Sequence, residues 1–381
     1  MKIAIIGFTE YENLGDQFIG KTVEYLVKQY GVVETEVVDF QIDRNKREVA
    51  FVLRLLHKIS RTMKFDKLSD RLCIKKYQSY YKKTIFKSLQ NVDGLIFACG
   101  SFKYGTQDLW AQYSAIIEYA NKHSIPVMFD AMNVQKYNAL DFRCEYLKKH
   151  LNYPCVKYFT SRDGEAGVER LKTDYITDGK MEIYPAADPA FWIPETYHIK
   201  KRGGNTVGVN VITPDQFLAY GGTLKPEVVK SAYLDFLQIL TKNGFEWQLF
   251  TNGLAADNEF AKELAQCCDV RADDVICPTS DVELANLEAS YMVVFGARLH
   301  SMICAYSFGV PVAGFIWDEK ITHFSEMVKL DDLFLKEHEI TGKAMYEVLM
   351  KALQKKEDIK NREYWKNTTQ KTIGDFLETL K

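Results

Sequence analysis

The chain has 381 residues, of which 47% are hydrophobic and 13% aromatic. This composition excludes a disordered protein, and the length predicts two domains because single cores rarely grow beyond about 300 residues. A formal net charge of −2 excludes a uniformly basic nucleic-acid-binding protein. The eight cysteines include no CxxC pair, so we expect reduced thiols in a cytoplasmic protein with no disulfide scaffold and no metal site.

The first elements predict a βαβ unit. Residues 2–8 (KIAIIGF) have the apolar run of a buried parallel strand, and the acidic residues that follow at once exclude a signal peptide. Residues 16–31 have the pattern of a helix that Asp16 caps and Gly31 ends, and residues 34–40 form the next strand. Strand, helix and strand in this order are typical of a parallel sheet. No apolar run approaches the ~18 residues that span a membrane.

Residues 44–87 form a basic segment, with 14 lysines and arginines against three acidic residues. Within it Phe51, Leu55 and Ile59 recur at helical spacing beside cationic positions. A basic amphipathic helix of this kind fits an anionic membrane surface or a diphosphate-linked lipid. It fits equally well a helix packed on its own sheet with a solvated basic face, and the sequence leaves both interpretations open.

The alternation of strands and helices continues to the end of the chain. Further strands are predicted at residues 92–100, 125–132, 206–212, 245–253, 291–296 and 311–317, further helices at 108–123, 225–243, 257–266 and 281–290, and a short strand followed by a helix at 155–172. The polar stretch 198–205 reads as a linker. We therefore predict Rossmann-like domains at 1–197 and 206–342, a helical tail at 343–381, and an interdomain cleft for ligands.

The stretch FGARLHSMICAYSFGVP (295–311) places chemistry at a strand-to-helix junction. Residues Leu299, Met302, Ile303 and Tyr306 mark one apolar helix face, so Arg298 and His300 lie at or before a helix N-terminus, where an anion is favoured. Positions two apart in a helix point about 200° apart. Both side chains therefore reach one ligand only if Arg298 precedes the helix.

A third charge joins this pair through the next strand. Residues 311–317 end just before Lys320, and parallel strands share one carboxyl-end rim, so Lys320 is expected near Arg298 and His300. An arginine fork and a lysine suit a small di- or trianion, and the imidazole can move a proton near neutral pH. A solvated junction with a hydrogen-bonded histidine is the alternative reading.

With these residues in place, the chain resembles the polysaccharide pyruvyl transferases. Their G-x-R-L-H-S signature, G-x-P turn and later lysine are matched by Gly296, Arg298–Ser301, Gly309, Pro311 and Lys320. Similar family motifs are NLGDQ (13–17), DGLIFACGSF (93–102), SRDGEAGVERL (161–171), AADPAF (186–191) and VGVNV (207–211). Cys99 and Ser101 depart from the pattern, because they stand where glycines are usual.

The resemblance implies a GT-B-like fold and transfer of an enolpyruvyl unit from phosphoenolpyruvate to a sugar of a capsule or other exopolysaccharide, as a pyruvate ketal. No cofactor is implied. The donor trianion is expected to be held by residues of the signature and by one residue of the first domain: Arg298, Leu299, His300, Lys320 and Arg162. His300 is the expected general acid, and Asp16 is either a base or only a helix cap. Asp188 reads as a turn residue.

The acceptor is expected on the first domain, at Asn13, Asp16, Gly100 and Ser101. A lipid-diphosphate-linked precursor at the inner membrane face would suit the basic segment. Two other functions remain open. One is a GT-B glycosyltransferase that uses a nucleotide sugar, although no clear acidic ribose-binding residue is present in the second domain. The other is a catalytically silent member that binds an anionic ligand, for which the departures at Cys99 and Ser101 leave room.

Overall fold

The computed structural model describes residues 1–10, 12–31, 33–40, 66–105, 108–268 and 275–381. The chain divides into two compact units, each built from separate stretches of sequence. The first unit comprises Met1–Thr9, Val23–Ala187 and Thr368–Lys381, and the second comprises Glu10–Thr22 and Asp188–Asn367. Both units are α/β structures with parallel sheets.

The first unit is organised around one parallel sheet with the order β2-β1-β3-β5-β6-β7, to which β4 is added beside β5. Its strands are β1 Lys2–Gly7, β2 Glu34–Asp39, β3 Gly94–Ala98, β4 Ser101–Phe102, β5 Val127–Val134, β6 Val156–Ser161 and β7 Glu182–Pro185. Phe97, Phe129 and Phe159 are register partners on adjacent strands, and their rings stack with centroids 4.6 and 5.2 Å apart. The three rings are fully buried in the core of the unit. Aromatic cross-strand pairs of this kind stabilise a sheet.

Helices of the first unit cover this sheet and one of them belongs to the basic segment. They are α2 Asp66–Lys83, α3 Ile85–Ser88, α4 Leu109–Lys122, α5 Phe142–Leu151 and α6 Gly164–Arg170. In α2, Ser69, Cys73, Tyr77 and Tyr81 are buried at four-residue spacing, whereas its lysines at 75, 82 and 83 are exposed. This part of the segment therefore packs one face inward and leaves a basic face in solvent. Residues 44–65 lie outside the described residues.

The second unit has a parallel sheet with the order β12-β11-β10-β8-β9. Its strands are β8 Thr206–Asn210, β9 Glu246–Phe250, β10 Val293–Gly296, β11 Val312–Phe315 and β12 Phe334–Leu335. Only the first parts of helices α1 Leu14–Lys28 and α15 Ile359–Glu378 belong to this unit. The other helices of the unit are α7 Ile193–Tyr197, α8 Asp215–Ala219, α9 Pro226–Lys242, α10 Ala255–Cys267, α11 Asp281–Glu288, α12 Leu299–Ser307, α13 Glu319–Met327 and α14 Gly342–Gln354. Because the strands are parallel, the loops after β8, β10 and β11 leave the sheet at one edge.

Two glycines bring α12 close to this edge. A Cβ on Gly296 would lie 2.5 Å from the Cγ of Met302, and one on Gly314 would lie 2.3 Å from the carbonyl oxygen of Gly296. Both distances are far shorter than a carbon contact allows. The glycines at the ends of β10 and β11 therefore let the helix that follows Arg298 pack directly on the strands.

The units differ from the predicted domain bounds in two respects. The loop and helix start at Glu10–Thr22, predicted in the first domain, belong to the second unit. The predicted tail is divided, because α14 and the start of α15 belong to the second unit and Thr368–Lys381 to the first. Within the described ranges, no helix is both long and apolar enough to cross a bilayer.

Candidate active site

Arg298 stands immediately before helix α12, in the extended conformation of an N-cap residue, with φ −98° and ψ 135°. Its backbone N–H donates to the side-chain oxygen of Asn210 at 2.9 Å, and the N–H of Ala297 donates to the same oxygen at 3.3 Å. Asn210 ends strand β8 and in turn donates to Asn252. These hydrogen bonds tie the junction to the neighbouring strand β8. Arg298 lies before the helix, which is the position it needs if Arg298 and His300 are to reach one ligand.

The guanidinium of Arg298 is held by Asp257, a fully buried carboxylate on α10. Nε donates to one carboxylate oxygen at 2.8 Å and Nη2 to the other at 2.9 Å. Asp257 is itself fixed, because it accepts a hydrogen bond from the backbone N–H of Thr213. Such bidentate pairing orients the guanidinium plane. An incoming anion therefore has to meet Arg298 from its Nη1 side.

Lys320 joins Arg298 through the indole ring of Trp317. The Lys320 ammonium lies 5.0 Å from the centre of this ring, and the Arg298 guanidinium carbon lies 5.8 Å from it. The indole N–H donates to the carbonyl of Ala297 at 2.6 Å, which fixes the ring beside the β10 junction. Asp318 caps α13 and its second oxygen lies 3.4 Å from the Lys320 ammonium. The two predicted cations therefore share one aromatic neighbour.

His300 lies between two carboxylates. Its Nδ1 is 3.4 Å from Oδ1 of Asp16, and its Nε2 is 3.5 Å from Oδ2 of Asp188. The side chains are unequally exposed, with 7% for His300, 23% for Asp16 and 2% for Asp188. Each ring nitrogen of His300 thus faces a carboxylate oxygen. Asp188 is the inner end of this row and Asp16 the outer end.

The loop before α1 makes this arrangement possible. A Cβ on Gly15 would lie 2.4 Å from the Cβ of His300 and 2.8 Å from its Nδ1. Asn13 organises the turn, since its side chain accepts from the N–H of Gly15 and donates to Asp16 at 3.1 Å. The N–H of Leu14 donates to the carbonyl of Asn252. The helix therefore begins at Leu14, so Asp16 lies in its first turn and is not its cap.

Asp188 has a local role as well as its contact with His300. It caps the 3₁₀ turn Pro189–Trp192, where its Oδ1 accepts from the N–H of Ala190 at 3.0 Å. The predicted turn residue is thus present, but its second oxygen faces the imidazole. Leu299, predicted to bind the donor, has a buried side chain. Only its backbone at the start of α12 remains to contact an anion.

The other predicted site residues lie in the first unit. Gly100 has a positive φ of 65° and accepts at its carbonyl from the N–H of Asn133. Ser101 accepts at its carbonyl from the Tyr113 hydroxyl, and the buried Arg162 follows β6. Gly100 and Ser101 follow the carboxyl end of β3 and Arg162 follows that of β6, and strand β5 lies between these two strands in the sheet. Asn13, Asp16, Arg298, Leu299, His300 and Lys320 are brought together in the second unit.

Sequence reasoning missed three residues of this site. Asp257 lies on a helix that carries no motif, Asn210 ends a strand, and Trp317 ends the stretch predicted as a strand. The sequence did contain a signal for Asn210 and Trp317. Each lies at the carboxyl end of a predicted strand, and these ends share the rim of the sheet that was used to place Lys320. In the part of the chain that the structure describes, His, Cys, Asp and Glu form no cluster of three or more able to hold a metal.

Comparison with solved structures identifies the fold. UDP-GlcNAc 2-epimerase from Neisseria meningitidis is 11% identical with a TM-score of 0.57, over 99% of this chain and 100% of that one. The same enzyme from Methanocaldococcus jannaschii gives 10% and 0.57 over 99% and 100%. The glycosyltransferase SnogD from Streptomyces nogalater gives 10% and 0.50 over 100% and 99%. These similarities show a GT-B fold with two Rossmann-like units.

The sequence identifies the family within that fold. The profile of the polysaccharide pyruvyl transferases matches residues 13–319, so the chain belongs to this family. The match begins at Asn13 and includes Asp188, Arg298 and His300, and it ends one residue before Lys320. The family match therefore does not reach Lys320, and its role in the site stays a prediction. A search of curated proteins found no match.

Proposed function

We propose that the protein transfers the enolpyruvyl unit of phosphoenolpyruvate to two hydroxyls of a sugar and forms a pyruvate ketal. The acceptor belongs to a surface polysaccharide or to its lipid-linked precursor. The observation that carries the proposal is the imidazole of His300, which lies between two carboxylates and two residues from a guanidinium fixed by Asp257. Membership of the pyruvyl transferase family supports the same reaction class.

The donor is held by charge. Phosphoenolpyruvate carries about three negative charges, on a phosphate and a carboxylate. Arg298 offers its Nη1 side to one of these groups, and Lys320 offers an ammonium to the other, with Trp317 between them. Both cations are preorganised, so little reorganisation is required as negative charge moves to the leaving phosphate. Arg162, which was also predicted to bind the donor, lies in the first unit, and its role stays a prediction.

The reaction requires one proton in and two protons out. Protonation of the methylene carbon makes a methyl group and an electrophilic central carbon, which the first sugar hydroxyl attacks with loss of its proton. The carbon–oxygen bond to phosphate then breaks, and phosphate leaves with the electron pair. The second hydroxyl attacks the same carbon, loses its proton and closes the ring. One of the two released protons replaces the one consumed, and the other leaves on hydrogen phosphate.

The row Asp188–His300–Asp16 supplies and accepts these protons. His300 is the general acid, and a correctly placed acid contributes about 10²–10⁴-fold in rate. Asp188 is buried and holds the imidazole from its inner side, whereas Asp16 is the more exposed carboxylate. Asp16 therefore accepts a proton from a sugar hydroxyl. No metal or organic cofactor takes part in this scheme.

Phosphate release from phosphoenolpyruvate, measured with nitrophenyl galactosides and lipid-linked sugars as acceptors, tests the proposal. Release that depends on an acceptor supports it, and His300→Ala should abolish the release without unfolding the protein. His338→Ala, which changes an exposed histidine, is the matched control. Normal turnover by His300→Ala would remove this residue from the mechanism. Hydrolysis or transfer of UDP-GlcNAc in place of phosphoenolpyruvate would favour the glycosyltransferase alternative.

We also propose that the basic segment holds the enzyme at the anionic inner face of the membrane, beside a diphosphate-linked acceptor. Of its described part, Lys75, Lys82 and Lys83 on α2 are exposed on the helix side opposite the buried tyrosines. Replacing these three with glutamine should reduce sedimentation with vesicles of phosphatidylglycerol. Unchanged sedimentation would leave the segment as a solvated helix face.

A further inference from the structure

Tyr220 lies where no predicted or family motif assigns a function. It follows the short helix α8, in the loop that leaves strand β8 at its carboxyl end. This is the edge of the sheet that carries Arg298 and Lys320. Most large apolar side chains of the unit are buried, but Tyr220 is 49% exposed. An exposed aromatic ring at the edge of a polar site therefore requires an explanation.

The ring is in contact with the donor-binding residues. Its centroid lies 5.0 Å from that of Trp317, with an interplanar angle of 78°, so the two rings meet edge to face. The ammonium of Lys320 lies 5.8 Å from the Tyr220 ring centre. Trp317 is nearly buried and is contacted by both cations and by Tyr220. Tyr220 is thus an exposed ring beside the residues proposed to hold the donor.

The loop that carries Tyr220 is fixed at both sides. Before it, Phe217 is buried and its ring contacts that of Phe315, 6.0 Å away. After it, the N–H of Gly222 donates to the carbonyl of Phe217 at 2.8 Å, and a Cβ on Gly222 would lie 2.7 Å from this oxygen. The carboxylate of Glu337 accepts from the N–H groups of the next two residues. A ring presented by a fixed loop loses little conformational entropy when a ligand binds.

The geometry of the reaction determines what must bind beside the donor. An attacking hydroxyl has to come within about 3–3.5 Å of the reacting carbon. The sugar that carries it therefore lies against the outer face of the donor site. A pyranose has a face of C–H groups and a rim of hydroxyls, which suits an aromatic ring with one apolar face and one wet edge.

We propose that Tyr220 is the platform on which the pyranose ring of the acceptor stacks. This proposal rests on the proposed function and makes Tyr220 a specificity residue, since only sugars with an apolar C–H face at the right distance from the hydroxyl pair pack against it. It also adds an acceptor contact to the second unit, which already contains the predicted acceptor residues Asn13 and Asp16. Lys320, whose ammonium lies over the Tyr220 ring, then contacts both substrates.

Steady-state kinetics with both substrates test the platform. Tyr220→Ala should raise the acceptor KM on the order of ten-fold, which is the size expected for one aromatic contact. The KM for phosphoenolpyruvate should stay within about two-fold of the wild-type value. Tyr220→Phe keeps the ring and should stay close to wild type. Leu218→Ala is the matched control, since Leu218 lies two residues earlier, in helix α8, and is 47% exposed.

Each contrary result has a distinct meaning. An equal rise in the KM for phosphoenolpyruvate would assign Tyr220 to the donor and overturn the proposal. An equal loss in Leu218→Ala would indicate a lipid or protein surface on this loop. A loss in Tyr220→Phe as large as in Tyr220→Ala would replace ring stacking by a hydroxyl contact. Each of these three results, by itself, would exclude stacking of the acceptor on Tyr220.

A second measurement separates this proposal from the proposed function. Saturation-transfer NMR with methyl β-D-galactopyranoside and methyl β-D-glucopyranoside needs no donor. Transfer to the sugar ring protons in the wild type and its loss in Tyr220→Ala would support the platform, even if phosphoenolpyruvate released no phosphate with any acceptor. Phosphate release with one of these glycosides, combined with equal transfer in wild type and Tyr220→Ala, would overturn the platform and leave the proposed function intact.

Discussion

His300 is oriented by residues that the chain brings from two distant places. Asp16 comes from the loop after the first strand, and Asp188 from the turn that begins the larger part of the second unit. Gly15 provides the space, because any side chain there would strike the imidazole. The glycine of the NLGD loop is therefore required by the histidine of the RLHS signature, which gives a physical reason for the two motifs to occur together.

The contact between Asp188 and His300 can be tested with an isosteric change. Asp188→Asn keeps the turn but replaces the charged oxygen that faces the imidazole with an amide, so kcat should fall about 10–100-fold. Because Asp188 acts through His300 and not on the donor, the KM for phosphoenolpyruvate should stay within about two-fold. Asp178→Asn, at an exposed carboxylate, is the control. An unchanged kcat in Asp188→Asn would contradict this role.

Asp257 is expected to matter for both donor binding and stability. Asp257→Asn leaves the Arg298 guanidinium, which is only 12% exposed, without its carboxylate. Removing one partner of a buried ion pair typically costs about 3–5 kcal/mol. We expect a fall in the unfolding temperature and a rise of about ten-fold in the dissociation constant of phosphoenolpyruvate by calorimetry, since the guanidinium loses its orientation. Asp215→Asn, at an exposed position of the same unit, should change neither.

At the scale of elements, most helices and strands could be predicted from the sequence, because hydrophobic periodicity is a local property. The strand before Arg298 and the helix after it were confirmed within two residues. The pairing of Arg298 with Asp257 was beyond reach, since it joins a loop to a helix that no shared motif connects. Asp16 was predicted as the cap because the sequence alone does not show that α1 begins at Leu14, whose N–H donates to the distant carbonyl of Asn252.

Glu288 is a carboxyl group that is buried where helix α11 packs on helix α12. It is the last residue of α11, it is fully buried, and its carboxyl group faces Ser301 and the backbone N–H of Ala305 on α12. Burial raises the pKa of this carboxyl group well above its ordinary value. Burial also raises the pKa of Tyr291 and Cys304 beside it, so both are neutral near pH 7.

The raised pKa predicts that stability falls as pH rises. The folded state keeps the Glu288 proton above about pH 4.3, where the unfolded chain releases it. The free energy of unfolding therefore decreases by up to about 1.4 kcal/mol per pH unit from that point until the folded group ionises. Glu288→Gln should remove this slope, so its advantage over wild type should be larger at pH 8 than at pH 5 in urea unfolding. Glu326→Gln changes an exposed carboxylate and should show no such trend. Equal slopes in Glu288→Gln and wild type would contradict a neutral Glu288.

At the scale of the whole molecule, neither unit is a continuous piece of sequence. The first unit includes the end of α15, where Ile373, Phe376 and Leu377 are buried. The Phe376 ring contacts Tyr158 at 5.7 Å, and the Tyr30 hydroxyl donates to the carbonyl of Gln370. Chain length predicted two domains, but the assignment of these last residues depends on tertiary contacts that no local pattern records.

The end of α15 should therefore stabilise the first unit. Phe376→Ala removes a fully buried ring and should cost about 3–5 kcal/mol in that unit. Calorimetric unfolding should show a lower transition for the first unit and an unchanged one for the second, since multidomain chains need not unfold in one step. Tyr364→Ala, at an exposed position earlier in the same helix, should leave both transitions in place. A uniform shift of both would show that the units unfold together.

The division of the first unit has a consequence for synthesis on the ribosome. Ala187 and Thr368 are separated by about 180 residues, which take on the order of ten to forty seconds to translate. During that time the nascent first unit exposes the apolar surface that Phe376 and its neighbours later cover. A growing chain with such an exposed surface is a target for chaperones and for aggregation. We expect ribosome-bound chains that stop before Thr368 to be more protease-sensitive in the first unit than the released protein.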